Sequence, residues 1–284
     1  MKTADFVVDK RPDLAAIKDF PKVDFADYER RLAELQETLQ RIQQAYLGTT
    51  HRAVIALEGW DTAGKGGVVR RLGWALDPRS FKVAAISAPG EREKSLHYLQ
   101  RFWERLPQHG QIGAFDLATP AEWQRAYKEI NQFEEMLFDD GVRVVKLFLH
   151  ITPDEQLRRF RNRLTDPLKR WKLSYEDFRN RGRWKEYEEA IEDMMEKTST
   201  RHAPWHLIPA NDKPYGRLAA LRIIADRLSK NVPLEPPPLN AKVMEAAERL
   251  LGMLVPAAEA KGHRSERAST AAPSGSDGYD RQGG

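Results

Sequence analysis

The sequence holds no cysteine in 284 residues, which excludes disulfides, thiolate metal sites, iron–sulfur clusters and thiol nucleophiles. Any metal must therefore use oxygen or histidine ligands. Long apolar runs are also absent. Nothing approaches the ~18 consecutive apolar residues of a membrane span, and the opening MKTADFVVDKRPDLAAIKDF has no long apolar stretch. A cytoplasmic location with no membrane partner is the expectation. His97, His109, His150, His202 and His206 show no paired ligand spacing and read as surface or core residues. What remains is 41% hydrophobic and 31% charged, enough apolar material for a folded core.

The net charge of +4 conceals an uneven distribution. Between Arg158 and Lys185 there are 11 Lys and Arg against 3 Asp and Glu, a local +8 that leaves the rest of the chain at −4. Such a segment is either a solvated helix face with its arginines paired to acids, or a surface that focuses field on a polyanion.

Periodicity divides the chain. Leu32, Leu35, Leu39, Ile42 and Tyr46 recur at three- and four-residue spacing, which predicts a helix over Asp27–Leu47. Short apolar runs predict buried strands at Ala53–Leu57, Lys82–Ile86, Ile112–Phe115, Val142–Ile151 and, more weakly, His206–Pro209. Between and after them the pattern predicts helices over Gly66–Leu76, Glu91–Leu106, Pro120–Asp139, Pro153–Leu164, Trp184–Lys197 and Tyr215–Lys230. Alternation of this kind favours an α/β fold with a parallel sheet covered on both faces. Beyond a Pro-rich break, Ala241–Leu254 is a separate helix, and 256–284, rich in Ala, Ser and Gly, reads as a disordered tail.

The first strand runs into Glu58-Gly59-Trp60-Asp61-Thr62-Ala63-Gly64-Lys65-Gly66-Gly67 and then a helix. This is the G-x-x-x-x-G-K pattern of a Walker A phosphate loop in the strand–loop–helix context it requires. Glycines let successive amides of Gly59 through Gly67 curl around a phosphate, the helix N-terminus adds partial positive charge, and Lys65 neutralises terminal phosphates. Gly66 stands where Ser or Thr usually holds magnesium, so Asp61 becomes the carboxylate to anchor a cation. The competing reading is a chance glycine turn with Asp61 capping the next helix. Asp116, at the C-terminal tip of the third strand, is a second candidate magnesium ligand in a phosphate-loop fold, although acids at strand ends are common.

The loop EGWDTAGKGG, the strand end at Asp116 and the stretch DPLKRWKLSYEDFRNRGRWKEYEEAIEDMMEKTSTRHAPWHLIPANDK together resemble the polyphosphate kinase 2 family over roughly Tyr28 to Leu228. The resemblance implies a three-layer α/β/α P-loop kinase fold with a mobile helical lid, assembled as a homo-oligomer. It also implies transfer of phosphoryl groups between inorganic polyphosphate and a nucleotide (ADP, GDP or AMP) with Mg2+. On that match Asp61 and Asp116 hold the metal. Gly59, Thr62, Ala63, Gly64, Lys65, Gly66 and Gly67 bind the transferring phosphate. Lys169, Arg170, Lys172 and Arg179 contact polyphosphate from the lid. The implied organisation is an N-terminal extension over 1–25, a kinase domain over 26–232 with the lid at about 158–185, a linker and short helix over 233–255, and the tail.

One junction departs from the family pattern. There the acid is followed by an Arg-Ser-Trp-Tyr type sequence, whereas Asp116 here runs into Leu117-Ala118-Thr119-Pro120. A catalytically impaired polyanion-binding member is therefore the alternative to an active kinase, and an ATP-dependent nucleotide kinase is a further one. Nucleic acid fits the basic segment less well, since no recognition motif accompanies it. Trp171, Trp184 and Trp205 are read as packing residues rather than base-stacking ones. Asn211-Asp212-Lys213 is either a turn or a base contact.

Overall fold

The computed structural model describes residues 1–87, 89–117, 126–235 and 239–252, with 116 and 117 as backbone only. Five apolar runs form five strands: β1 (Arg52–Gly59), β2 (Phe81–Ile86), β3 (Ile112–Leu117), β4 (Val142–His150) and β5 (Trp205–Pro209). All pair in parallel in the order β2-β3-β1-β4-β5. The two central strands, β1 and β4, are buried along nearly their whole length, as strands covered on both faces must be.

Helices α1 (Phe25–Tyr46), α2 (Lys65–Ala75), α3 (Glu91–Lys94), α4 (Gln100–Trp103), α5 (Ala126–Asp139), α6 (Pro153–Thr165), α7 (Tyr175–Gly182), α8 (Trp184–Thr198) and α9 (Lys213–Ser229) follow in chain order. α1, α2 and α9 pack together on one face of the sheet, and α5 and α8 lie against each other beside β4 on the other. Leu39, Ile42, Leu72, Leu218, Leu221 and Ile224 meet Ile55, Leu57, Val145 and Leu147 in the larger core. Phe133, Leu137, Val54, Phe115 and Val144 form the smaller one.

The expected single helix over Glu91–Leu106 is instead two single turns, α3 and α4. Ser95 Oγ donates to the Arg92 carbonyl at 2.8 Å and His97 Nδ1 accepts from the Leu99 amide at 3.4 Å, so side chains compete for the backbone and stop the helix. The expected helix from Pro120 is described from Ala126 onward, its first residues lying outside the described ones. The tail call, 256–284, lies outside them as well. Residues 1–236 form one compact unit, and α10 (Ala241–Leu251) belongs to a second. Within the first, the N-terminal segment is laced onto β5 and α8: the Val8 amide donates to the Trp205 carbonyl at 2.9 Å, Val7 bridges His206 antiparallel, and Leu14 N–H donates to Glu192 of α8 at 2.8 Å. That strap covers an edge that would otherwise expose unpaired backbone.

Charge interrupts the core of β4. Lys146 donates to Glu134 at 2.7 Å and to the Thr198 carbonyl at 2.6 Å, with its ammonium 5.1 Å from the Trp205 ring centre. Burial pushes the Glu134 carboxyl up and the Lys146 ammonium down, each opposed by the partner. Removing one member strands a charge, whereas replacing both with apolar groups does not. In urea denaturation Lys146→Met is expected to cost about 3–5 kcal/mol, and Lys146→Met with Glu134→Leu much less.

His150 and His206 are also buried, and burial holds both imidazoles at about 4, below the ordinary 6.5. The unfolded chain therefore binds more protons between those values, and stability falls as pH drops from 6.5 to about 4, by on the order of 3 kcal/mol per histidine. Ring-proton NMR titration should find neither histidine protonated at about pH 5.5, and titration of either near its free value contradicts this.

Candidate active site

The phosphate loop leaves the central strand β1 at the C-terminal edge of the sheet, where the adjacent strands β1 and β3 lead to helices on opposite faces, α2 and α5, the usual location of a ligand crevice in such folds. Gly59 has φ +149°, and a Cβ added to it would lie 2.7 Å from the Leu149 carbonyl oxygen, so only glycine lets the chain turn there beside β4. Gly64 turns at φ +120°. Thr62 adopts φ +68°, a left-handed conformation that costs a non-glycine residue about 1–2 kcal/mol and is found where surroundings impose it. The Ala63 amide donates to the Trp60 carbonyl at 2.9 Å, and Lys65 Nζ donates to the Gly59 carbonyl at 2.8 Å. Gly64 caps α2 with no side chain, which leaves the first-turn amides of Lys65 and Gly66 to face an anion, whereas the Gly67 amide, expected among the phosphate contacts, donates to the Gly64 carbonyl at 2.8 Å. Thr62 Oγ1 is buried without a hydrogen-bond partner among the described residues, a polar atom suited to a bound oxygen or cation shell.

Asp61 is the charged member of the loop. Burial pushes its carboxyl above the ordinary range, Lys65 opposes that, Asp177 reinforces it, and the Asn180 amide, donating at 3.3 Å, and Arg163 oppose it again. A carboxylate made unfavourable by burial is a donor that a divalent cation would reward, so the residue fits the magnesium role. The Asp116 side chain lies outside the described residues. Its backbone pairs with Leu57 of β1, which places the end of β3 beside the start of the phosphate loop.

The basic segment divides into inward and outward groups. On α6, Gln156, Arg159 and Arg163 fall on one helical face with Phe160. Gln156 donates to the Asp61 carbonyl at 3.3 Å. Arg159, 2% exposed, donates from Nη1 to the carbonyls of Thr62 and Ala63 at 2.9 and 2.8 Å, and from Nη2 to those of Ala210 and Asn211 at 2.7 and 2.8 Å. Its Nε donates to Glu155 at 2.6 Å. Arg163 is drawn down by burial and held charged by Asp177 and Asp61. Arg181 of α7 donates to the Pro153 carbonyl at 2.9 Å and to Gln156 at 3.1 Å.

Outward groups include all four expected lid cations. Lys169, Arg170, Lys172 and Arg179 are exposed. Lys169 pairs with Asp166, Arg179 pairs with Glu176, Arg170 Nε donates to the Leu164 carbonyl at 2.8 Å, and Lys172 Nζ stands 5.2 Å from the Trp171 ring centre. Exposed pairs of this kind contribute little and exchange readily for another anion. Trp171 departs from the packing expectation: it is 77% exposed, beside Leu168 at 83% and Tyr175 at 80%, because the short 3-10 turn Arg170–Lys172 carries it away from any core. Trp184 and Trp205 do pack. Trp184 stacks on Trp60 of the loop with ring centres 3.7 Å apart and 9° between planes, while Trp60 Nε1 donates to His150 Nδ1 at 3.1 Å. The base of the lid and the phosphate loop thus share one aromatic contact. Asn211-Asp212-Lys213 is a turn: Asp212 accepts from the Tyr215 and Val23 amides at 3.0 and 3.2 Å, and Asn211 Oδ1 accepts from Thr152 N–H at 3.0 Å.

Sequence reading missed Arg159, Arg163, Gln156 and Asn180. For the α6 residues a signal existed: Gln156, Arg159 and Arg163 share the i, i+3, i+7 register of buried Phe160, so polar residues occupy an inward stripe.

Comparison with known proteins bears on the family and the fold. The model of the family described as polyphosphate kinase 2 (PPK2) matches residues 22–235. The chain is 41% identical over 215 residues to a polyphosphate:AMP phosphotransferase of Pseudomonas aeruginosa, covering 71% of this chain and 43% of that protein. It is 39% identical over 232 residues to ADP-polyphosphate phosphotransferase 2 of Rhizobium meliloti, covering 77% and 74%. The crystal structure of polyphosphate kinase 2 from Arthrobacter aurescens TC1 superposes with a TM-score of 0.79 at 34% identity, over 89% of this chain and 96% of that one. The chain spans less than half the length of the Pseudomonas relative. The fold is a three-layer α/β/α P-loop kinase fold, and the chain belongs to the polyphosphate kinase 2 family.

Proposed function

We propose that the chain catalyses magnesium-dependent phosphoryl transfer between inorganic polyphosphate and a nucleoside mono- or diphosphate. The observation that carries this reading is the convergence of a half-buried acid, a lysine and a helix N-terminus in one loop, at 59–67, beneath an arginine-bearing segment. Relatives named for transfer between polyphosphate and AMP or ADP support the substrate class.

In this reading the amides of Gly64, Lys65 and Gly66 receive the transferring phosphate, and Lys65 supplies a positive charge from the first turn of α2. Asp61 and Asp116 would hold the metal. Among the described residues no three acids or histidines form a ready-made cage, and magnesium is commonly held by one or two carboxylates together with substrate oxygens. Held there, a metal would supply positive charge to offset the negative charge that develops during transfer. Lys169, Arg170, Lys172 and Arg179 bind successive phosphates of the donor and exclude water from the reacting oxygens. Transfer of this kind rests on positioning and electrostatics, so no covalent intermediate or general base is required.

A second reading is favoured by one observation, the run from Asp116 directly into Leu117-Ala118-Thr119 without the family's arginine. It makes the chain a polyanion-binding member without turnover.

Incubation with polyphosphate, magnesium and each of AMP, ADP and GDP separates the readings. Phosphorylation of a nucleotide is expected, with Lys65→Ala and Asp61→Asn each lowering kcat by about 10²-fold or more. Salt-sensitive polyphosphate binding with no product, rescued by inserting an arginine-bearing segment after Asp116, supports the second reading. Transfer that requires ATP and ignores polyphosphate contradicts both.

A further inference from the structure

Arg159 lies in the most basic stretch of the chain, yet its chemistry is spent inward. Its three nitrogens carry five N–H donors, and five protein acceptors take them: Glu155, and the carbonyls of Thr62, Ala63, Ala210 and Asn211. None is left for a phosphate. Two of the acceptors are main-chain carbonyls of the phosphate loop itself, and every described peptide bond is trans.

In a trans peptide the carbonyl and the following N–H point in opposite directions. Holding the Ala63 carbonyl on Arg159 therefore turns the Gly64 amide the other way, into the loop. Holding the Thr62 carbonyl likewise fixes the Ala63 amide, which donates back to Trp60 at 2.9 Å. Thr62, between the loop's acid and these two peptides, sits at φ +68°, a conformation that needs an external restraint. The other prong grips the turn after β5, which is itself tied to the end of β4 by the Ala210 amide donating to the His150 carbonyl at 2.7 Å.

We propose that Arg159 is the positioning residue of the phosphate loop: by clamping the Thr62 and Ala63 carbonyls against the β5–α9 turn, it orients the loop amides for an anion without touching that anion. The proposal rests on the loop being a phosphate site. Lysine cannot substitute, because a single ammonium has three donors on one atom and cannot span two pairs of carbonyls on separate segments.

The test follows hydrogen exchange by mass spectrometry in the full chain, with tripolyphosphate binding by titration calorimetry alongside. Arg159→Lys is expected to speed exchange across 59–66 by about tenfold or more while the β1 and β4 interiors exchange as in wild type. Tripolyphosphate affinity should fall by about tenfold. Methylguanidinium should restore both properties to Arg159→Ala, whereas Arg161→Gln, which removes the same charge from the exposed side of α6, should leave exchange at 59–66 unchanged. Wild-type exchange at 59–66 in both Arg159 variants overturns the proposal. So does loosening spread evenly over all strands, or failure to fold, with no effect of methylguanidinium, since that marks a merely structural residue. A wild-type chain that binds no tripolyphosphate refutes the phosphate reading, and the exchange data then still decide the clamp.

Discussion

A buried guanidinium is tolerated only when every donor is answered, and the centre of this molecule is arranged around one that is. Burial draws the Arg159 guanidinium down and Glu155 opposes it. An unanswered charge at that depth costs several kcal/mol. Its acceptors therefore have to be where they are: the phosphate loop after β1, the turn after β5, and Glu155 in the first turn of α6, whose amide in turn donates to Thr152 at 3.3 Å. Two loops from two strands of a parallel sheet are held against α6 at fixed separation by one side chain. The strands bring those loops to the same edge, and the arginine sets their orientation.

A second constraint acts on the lid. Trp184, the first residue of α8, is stacked on Trp60, and Trp60 is pinned by His150, whose ring stacks on Phe20 of the N-terminal strap at 5.8 Å. Tyr187 donates to Asn180 at 3.1 Å, and Asn180 donates to Asp61. The base of α7 and the loop acid are thus linked by aromatic contact on one side and by hydrogen bonds on the other. The outer part of the lid, from Leu168 to Tyr175, is mostly exposed and is tied to α6 by Arg163 donating to the Lys172 carbonyl at 3.2 Å and Arg170 donating to the Leu164 carbonyl at 2.8 Å. A rigid base with an exposed basic rim suits a segment that meets a long polyanion from outside.

The sheet and the loop were legible because their signals are local. Continuous apolar runs such as Ala53–Leu57 admit few alternatives to a doubly covered strand, and glycines at 59 and 64 mark backbone turns that side chains would block. The break at Ser95 was less legible, since it depends on short-range competition between side chains and the backbone that periodicity ignores. The role of Arg159 was hidden for a different reason. Its acceptors are carbonyls 51–97 positions away in the chain, and a carbonyl carries no residue identity to read. Counting charge gave the segment its +8 but could not sort the inward arginines, 159, 163 and 181, from the outward cations. Trp171 was misread because large aromatic residues usually pack, and only the 3-10 turn beneath it reveals that this one does not.

That division between arginines that hold the site and cations that face solvent is the central claim, and ionic strength tests it most directly. Polyphosphate affinity should be measured against salt for the wild-type chain and for a variant combining Arg170→Gln, Lys172→Gln and Arg179→Gln. If these three solvent-facing charges meet polyphosphate as proposed, their loss should lower the slope of log affinity against log salt by about two to three. An unchanged slope would place the polyanion elsewhere and contradict the division.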